Sequence, residues 1–245
     1  MFKTIQVGFY NLLAKHRIFN NILFWVLKSK GFLDIKLDKI IKNYCKTNKD
    51  FFFLQIGAND GIKADPLYLY HKKYSWKGLL VEPVPYLFKK LTKNYNGDRG
   101  VAFENVAIAE KNGIKYFYRL KQSKDNYLPL WYDEIGSFIK SNVLKYRNKI
   151  KDIEKYLIKE KVKCLTFSSL LKKHHVTKID LLHIDTEGYD YKILKQINFA
   201  KLKPAMILYE DRHLTSLEKE SAREILLRNG YRLIKLPGDC LAYKK

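Results

Sequence analysis

The sequence predicts an α/β protein built on one seven-stranded, mostly parallel sheet that ends in an antiparallel hairpin. Three observations predict it. From Asp50 onward, short apolar runs alternate with helical stretches, the pattern of strands joined by helical crossovers. The first run, Phe51 to Ile56, passes directly into a glycine turn, Gly57-Ala58-Asn59-Asp60-Gly61. The last two runs are joined tightly through Pro237 and Gly238, which requires neighbouring antiparallel strands.

Taken in order, strands are predicted at 51–56, 78–82, 101–106, 179–184, 205–210, 231–235 and 239–243. Residues 1–46 hold nine Lys or Arg against two Asp, with apolar positions at Phe19, Leu23, Val26 and Leu27 and again at Leu33, Leu37, Ile40, Ile41 and Tyr44. That spacing predicts two amphipathic helices broken at Gly31. They read as a basic cap over 1–48 on a main domain over 49–245, and a basic helix of this kind can also lie on an anionic membrane surface. The main domain carries an insertion at about 114–166, between the third and fourth core strands. Strands are expected there at 114–120 and 162–166. Between them, 138–158 reads as a helix with the apolar stripe Ile139, Val143, Tyr146, Ile150, Ile153 and Leu157.

A chain of 245 residues suits one sizeable core, and no apolar run approaches the ~18 residues that span a bilayer. Three scattered cysteines, without Cys-x-x-Cys spacing, argue against a disulfide framework or a cysteine zinc site. The N-terminus lacks a clean apolar core followed by a small-residue cleavage site, so the expected location is the cytoplasm, with peripheral contact at the inner membrane face through the basic helices. The net charge of +22 raises nucleic acid, anionic lipid and acidic glycans as partners. Only eight of the 47 basic residues are Arg, and the chain is rich in Ile, Asn and Tyr, a mixture that an A/T-rich genome produces unaided. Charge therefore biases the partner without identifying one.

The chemistry lies at the predicted strand ends, where open parallel sheets bind ligands. Glycines at 57 and 61 let the backbone approach a ligand, and the dinucleotide pattern G-x-G-x-x-G is absent. About twenty residues on, the second strand ends at Glu82-Pro83, the place where a carboxylate accepts ribose hydroxyls. The fourth strand opens into Asp185-Thr186-Glu187-Gly188, and the fifth into Glu210-Asp211 with His213 beyond. Carboxylates converging on one crevice are costly as mere packing, which points to function.

These segments, Gln55 to Gly61, Val81-Glu82-Pro83, Asn105-Val106-Ala107, Thr166 to Leu170 and above all Ile179 to Gly188, resemble the FkbM family of methyltransferases in order and spacing. The resemblance covers roughly 50–243. It implies the Rossmann-like class I methyltransferase fold, S-adenosylmethionine as methyl donor, and O-methylation of a sugar or natural-product hydroxyl. Gln55 stands where many members carry an acid, and His183 where Lys is frequent. On this basis Gln55, Gly57, Ala58, Asn59, Asp60, Gly61, Glu82, Asn105, Ala107, Asp185 and Glu187 are the expected cofactor contacts.

An alcohol acceptor loses its proton as it attacks, so a base is needed beside the methyl. Asp185 is the first choice, with His213 and Glu210 as the other catalytic candidates. Asp185, Glu210 and Asp211 would offer oxygens to Mg²⁺. The acceptor, a saccharide or another small hydroxylated molecule, is expected over the insertion, against Trp131, Tyr132, Ser137 and Asp211, where aromatic rings can stack on a pyranose. Two other classes compete. An RNA methyltransferase would suit the charge, but the sequence holds no N/D-P-P-Y element and no catalytic Pro-Cys pair. A non-catalytic binding module would keep the fold without the chemistry.

Overall fold

The computed structural model describes residues 35–63, 65–129 and 131–244, so the first of the two expected N-terminal helices lies outside the described residues. The chain divides into two compact units. One consists of the segment through Phe51 together with Ile62–Lys77. It contains helices α1 (Ile35–Thr47) and α2 (Tyr68–Tyr74). Leu37, Ile41 and Cys45 of α1 are buried, so the apolar side of this helix is already spent on packing. Trp76 stacks on Phe51 with ring centroids 4.0 Å apart, and on Tyr70 at 5.7 Å.

The other unit, Phe52–Gly61 with Gly78–Lys245, holds the strand ends of interest. Its main strands are β1 (Phe52–Ile56), β2 (Lys77–Val81), β3 (Val101–Glu104), β8 (Leu181–Ile184), β9 (Met206–Glu210), β10 (Arg232–Lys235) and β11 (Asp239–Tyr243). They form one sheet in the order β10-β11-β9-β8-β1-β2-β3. β1 with β8, β8 with β9, and β2 with β3 pair in parallel, while β11 runs antiparallel to both β9 and β10. β1, β8 and β9 are buried almost throughout, as strands covered on both faces must be. Their apolar side chains join a core that includes Leu54, Ile56, Leu182, Ile184, Ile207 and Tyr209.

Four helices follow the strands. α3 (Pro85–Asn94) starts on a proline, tolerated because the first-turn N–H needs no intrahelical partner. α5 (Phe167–Lys173) is capped by Thr166, and α6 (Asp190–Leu194) follows β8. α7 (Ser216–Arg228) begins with a full capping box between Thr215 and Glu218. Among the described residues no helix is long and apolar enough to cross a membrane.

The insertion is a second sheet, in the order β4-β7-β5-β6, made of β4 (Ala107–Ile108), β5 (Gly113–Leu120), β6 (Gly136–Ser137) and β7 (Leu157–Leu165). The expected strand 101–106 thus stops at Glu104, and the strand expected at 162–166 begins earlier, at Leu157. The expected helix over 138–158 is not continuous. It is one short helix, α4 (Lys140–Leu144), followed by tight 3₁₀ turns at Lys145–Asn148 and Ile153–Lys155. Asp152, at φ +52°, breaks it with a left-handed residue. Apolar residues three apart serve a 3₁₀ turn as well as a helix, so Val143, Ile150 and Ile153 are buried as the stripe requires although the helix is not there.

Candidate active site

The turn after β1 is fastened to the end of β2 by consecutive donors. Gly57 and Ala58 N–H both donate to the Val81 carbonyl, at 2.9 and 3.0 Å. Asn59 N–H donates to Glu82 Oε2 at 2.9 Å, and Val84 N–H to Glu82 Oε1 at 2.9 Å. Glycine is required at 57 on two counts: φ is +85°, and a Cβ would overlap the carbonyl of Asp185 at the end of β8. The turn is therefore seated against both neighbouring strand ends.

Glu82 is 4% exposed, which rules out a surface residue before a turn. Burial is the main influence on its carboxyl and raises its pKa to about 7, against the lowering pull of the Val84 and Asn59 N–H groups. A carboxylate has about four acceptor sites, and two are used here. Two remain for a ribose diol, so the residues fit the adenosine half of S-adenosylmethionine. Asn105 donates to the carbonyls of Glu82 and Pro83, at 2.7 and 3.2 Å, and so fixes the strand end that carries the carboxylate. Asp60 is buried in the turn, its carbonyl held by Asn94. Ala107 is placed apart from this group, in the insertion core with Phe117 and Val162.

Gln55 and His183 are register partners on β1 and β8, both buried, and Gln55 Oε1 and His183 Nδ1 have no hydrogen-bond partner among the described residues. Burial lowers the His183 pKa to about 4, so the ring is neutral at physiological pH. It belongs to the sheet interior.

Asp185, at the end of β8, is exposed to solvent yet crowded by the protein around it. That crowding, then the charges of Glu187, Asp190 and Asp239, push its carboxyl well above the usual range, with the Arg212 guanidinium opposing. Glu210, 7% exposed, is pushed up to about 10 by burial first and then by Asp185, Glu187 and Asp190. Two such acids close together hold at least one proton between them at neutral pH. Asp190, fully buried, is raised to about 7 by burial, while it accepts from Thr186 Oγ1 at 2.9 Å and Gly188 N–H at 3.3 Å.

His213 Nε2 lies 3.0 Å from Glu187 Oε2 and 3.1 Å from the Tyr146 hydroxyl, which itself donates to Glu187 at 3.3 Å. Tyr146 comes from the insertion. So do Ser137 and Asn142, which donate to the Glu187 carbonyl at 3.0 and 2.8 Å and hold the left-handed Glu187-Gly188 turn in place. A Cβ on Gly188 would strike Asn142.

The expected substrate residues separate accordingly. Ser137 is fully buried and engaged with the turn. Tyr132 is buried in the insertion core, its hydroxyl paired with Ser123. Trp131 is partly exposed, its ring 5.4 Å from that of Tyr146. Asp211 is paired with Lys235, so it does not join Asp185 and Glu210 as a third free carboxylate. The donors that do meet, within 4.8 Å of one another, are Glu187, Glu210 and His213. A set containing an imidazole departs from the oxygen-only shell of Mg²⁺. The expected Mg²⁺ set does not fit, and no step is assigned to that ion.

The sheet order, the glycine turn and the buried Glu82 define a Rossmann-like class I methyltransferase fold. The Methyltransferase FkbM domain matches residues 55–233, and the chain belongs to that family. Among solved structures, the FkbM methyltransferase of Methylobacillus flagellatus KT is similar at 13% identity and TM-score 0.49, over 80% of this chain and 44% of its own. The chain thus spans less than half the length of that relative. A precorrin-6y C5,15-methyltransferase of Geobacter metallireducens GS-15 is similar at 11% identity and TM-score 0.41, over 80% and 81% of the two chains. A ribosomal protein L11 methylase of Lactobacillus delbrueckii subsp. bulgaricus is similar at 11% and 0.40, over 81% and 73%. No curated protein matches the sequence. Likenesses this distant say nothing of the acceptor.

Proposed function

We propose that this chain transfers a methyl group from S-adenosylmethionine to a hydroxyl of a sugar or glycan precursor, with Asp185 as the base. The cofactor, when bound, supplies an electrophilic methyl; the residues of the chain do the rest. Glu82 and the turn from Gly57 to Gly61 hold the adenosine end. The observation that carries the reading is the contrast among the three catalytic candidates. Asp185 is open, and its raised pKa makes it a better proton acceptor than an ordinary carboxylate. Glu210 is buried and keeps its own proton at neutral pH, which suits it to donate a hydrogen bond. His213 is tied to Glu187 and Tyr146 and shapes the cleft beside them. A sugar ring has an apolar face, and the Trp131 ring, braced by Tyr146, offers a matching surface.

The test is transfer of a labelled methyl from S-adenosylmethionine to a panel of glycans and glycosyl lipids, run beside structured RNA. Label in a saccharide hydroxyl is the expected result. Label in RNA alone would replace the acceptor class, and cofactor binding without transfer to any acceptor would favour the binding module.

A further inference from the structure

β5 and β7 form a long antiparallel ribbon. Among the described residues one of its faces is open over Ile114, Tyr116, Lys159, Lys161 and Lys163, while its far end, at Tyr118, Leu120 and Leu157, packs on the insertion core. The register sets Ile114 opposite Lys163, Tyr116 opposite Lys161, and Tyr118 opposite Lys159, so all six share one face of the pleat. The reverse face carries Phe117, Val162 and Cys164 into the core. On the open face, Ile114 is 67% and Tyr116 51% exposed. Lys159, Lys161 and Lys163 are exposed too, and none forms an ion pair among the described residues. Alternate residues of a strand stand roughly 6.7 Å apart, so the three lysines leave the backbone along a row roughly 13 Å long beside an aliphatic and an aromatic side chain.

We propose that this face docks on an anionic phospholipid membrane. The composition is that of an interfacial contact: Lys for the headgroup phosphates, Tyr at the polar boundary, and Ile to enter the acyl region. Single-stranded RNA fits less well. Base stacking needs a free ring face, and the Tyr116 ring already has Lys159 Nζ at 3.8 Å and Lys161 at 5.9 Å from its centroid. Ile114 offers nothing to a base. The face is independent of the methyl-transfer reading, although the ribbon reaches the cleft through β6, whose Ser137 holds Glu187.

The experiment is co-sedimentation of the full chain with phosphatidylcholine vesicles, with and without about one-third phosphatidylserine. The triple variant Lys159→Glu, Lys161→Glu, Lys163→Glu is compared with Lys201→Glu, Lys203→Glu, Lys219→Glu, an equal charge change on exposed lysines elsewhere. The ribbon variant is expected to lose about a hundredfold in partitioning to the anionic vesicles, and the other variant only a few fold. Tyr116→Trp should show blue-shifted emission on those vesicles. Equal losses in the two triple variants would mean that net charge alone binds, and overturn the proposal. So would an unshifted emission spectrum from the Tyr116→Trp variant, or a ribbon variant that loses RNA binding while keeping vesicle binding. Circular dichroism confirms that each variant is folded.

Discussion

Glu82→Gln separates what the carboxylate does for the fold from what it does for the cofactor. Each carboxylate oxygen takes one backbone N–H at 2.9 Å, and the carboxyl is raised from 4.5 to about 7 because its burial outweighs those two bonds. Folding therefore takes up a proton at this site between those two values, and wild-type stability falls as pH rises through the window. Keeping Glu82 ionised at pH 8 costs about 3 kcal/mol. An amide removes the charge, but its NH2 cannot accept the second backbone N–H, which costs about 1–3 kcal/mol at every pH. Relative to the wild type, the variant should therefore gain up to about 3 kcal/mol between pH 4 and pH 8 in chemical unfolding. Cofactor affinity moves the other way. Losing a charge-assisted bond to the ribose costs about 1.5–3 kcal/mol, roughly ten- to a hundredfold in Kd. Wild-type binding, measured by calorimetry, should strengthen as pH rises from 6 to 8 and release a proton, whereas the variant should show neither effect. Unchanged affinity in the folded variant, or a flat wild-type profile, refutes the assignment of Glu82.

Three further substitutions probe the rest of the cleft. Asp185→Asn should abolish transfer while leaving cofactor binding measurable. It should also raise the melting temperature at pH 8, because a crowded charge is removed. Wild-type turnover in that variant moves the base to His213. Tyr146→Phe removes the hydroxyl shared by Glu187 and His213 but keeps the ring, so kcat/KM should fall by about tenfold with the acceptor, and unchanged kinetics would make the hydroxyl a bystander. Trp131→Ala should raise the KM for the acceptor and leave cofactor affinity as it was, and an equal loss of both would assign Trp131 to holding the insertion together.

What the sequence made legible was what is written locally. A strand, its glycine turn and a carboxylate one crossover later are contiguous signals, and the places of Gly57, Glu82 and Asp185 at the strand ends could be read from them. The terminal hairpin was equally plain, since Pro237 and Gly238 leave little other choice. The insertion was not, because its contribution is tertiary. Tyr146 meets His213 across 67 residues, and Asn142 meets Glu187 across 45. In the sequence Tyr146 is visible only as one tooth of an apolar stripe. Ser137, expected to touch an acceptor, instead holds a backbone carbonyl. The start of β7 was hidden because Lys159, Lys161 and Lys163 dilute the apolar signal; their alternation with Glu160, Val162 and Cys164 was the clue to a strand with one wet face.

The distribution of charge gives the cleft a direction. The chain carries a net charge of +22, yet at the strand ends Glu187, Asp190 and Asp239 act on Asp185, and Asp185, Glu187 and Asp190 act on Glu210, with Arg212 opposing both. Such crowding costs folding energy, as the raised carboxyls show, and a cost of this kind persists where it serves binding. A sulfonium donor is positively charged and becomes a neutral thioether when its methyl leaves. An acidic cleft therefore attracts the donor more than it attracts the product, and on the proposed role of Asp185 the same field would draw a proton from an acceptor hydroxyl toward it. The two effects have one source. Asp185→Asn should consequently weaken the preference for cofactor over its demethylated product as well as the rate, whereas Glu210→Gln, at a carboxyl already protonated at neutral pH, should leave that preference nearly unchanged; a cleft shaped only to fit adenosine would not produce this coupling.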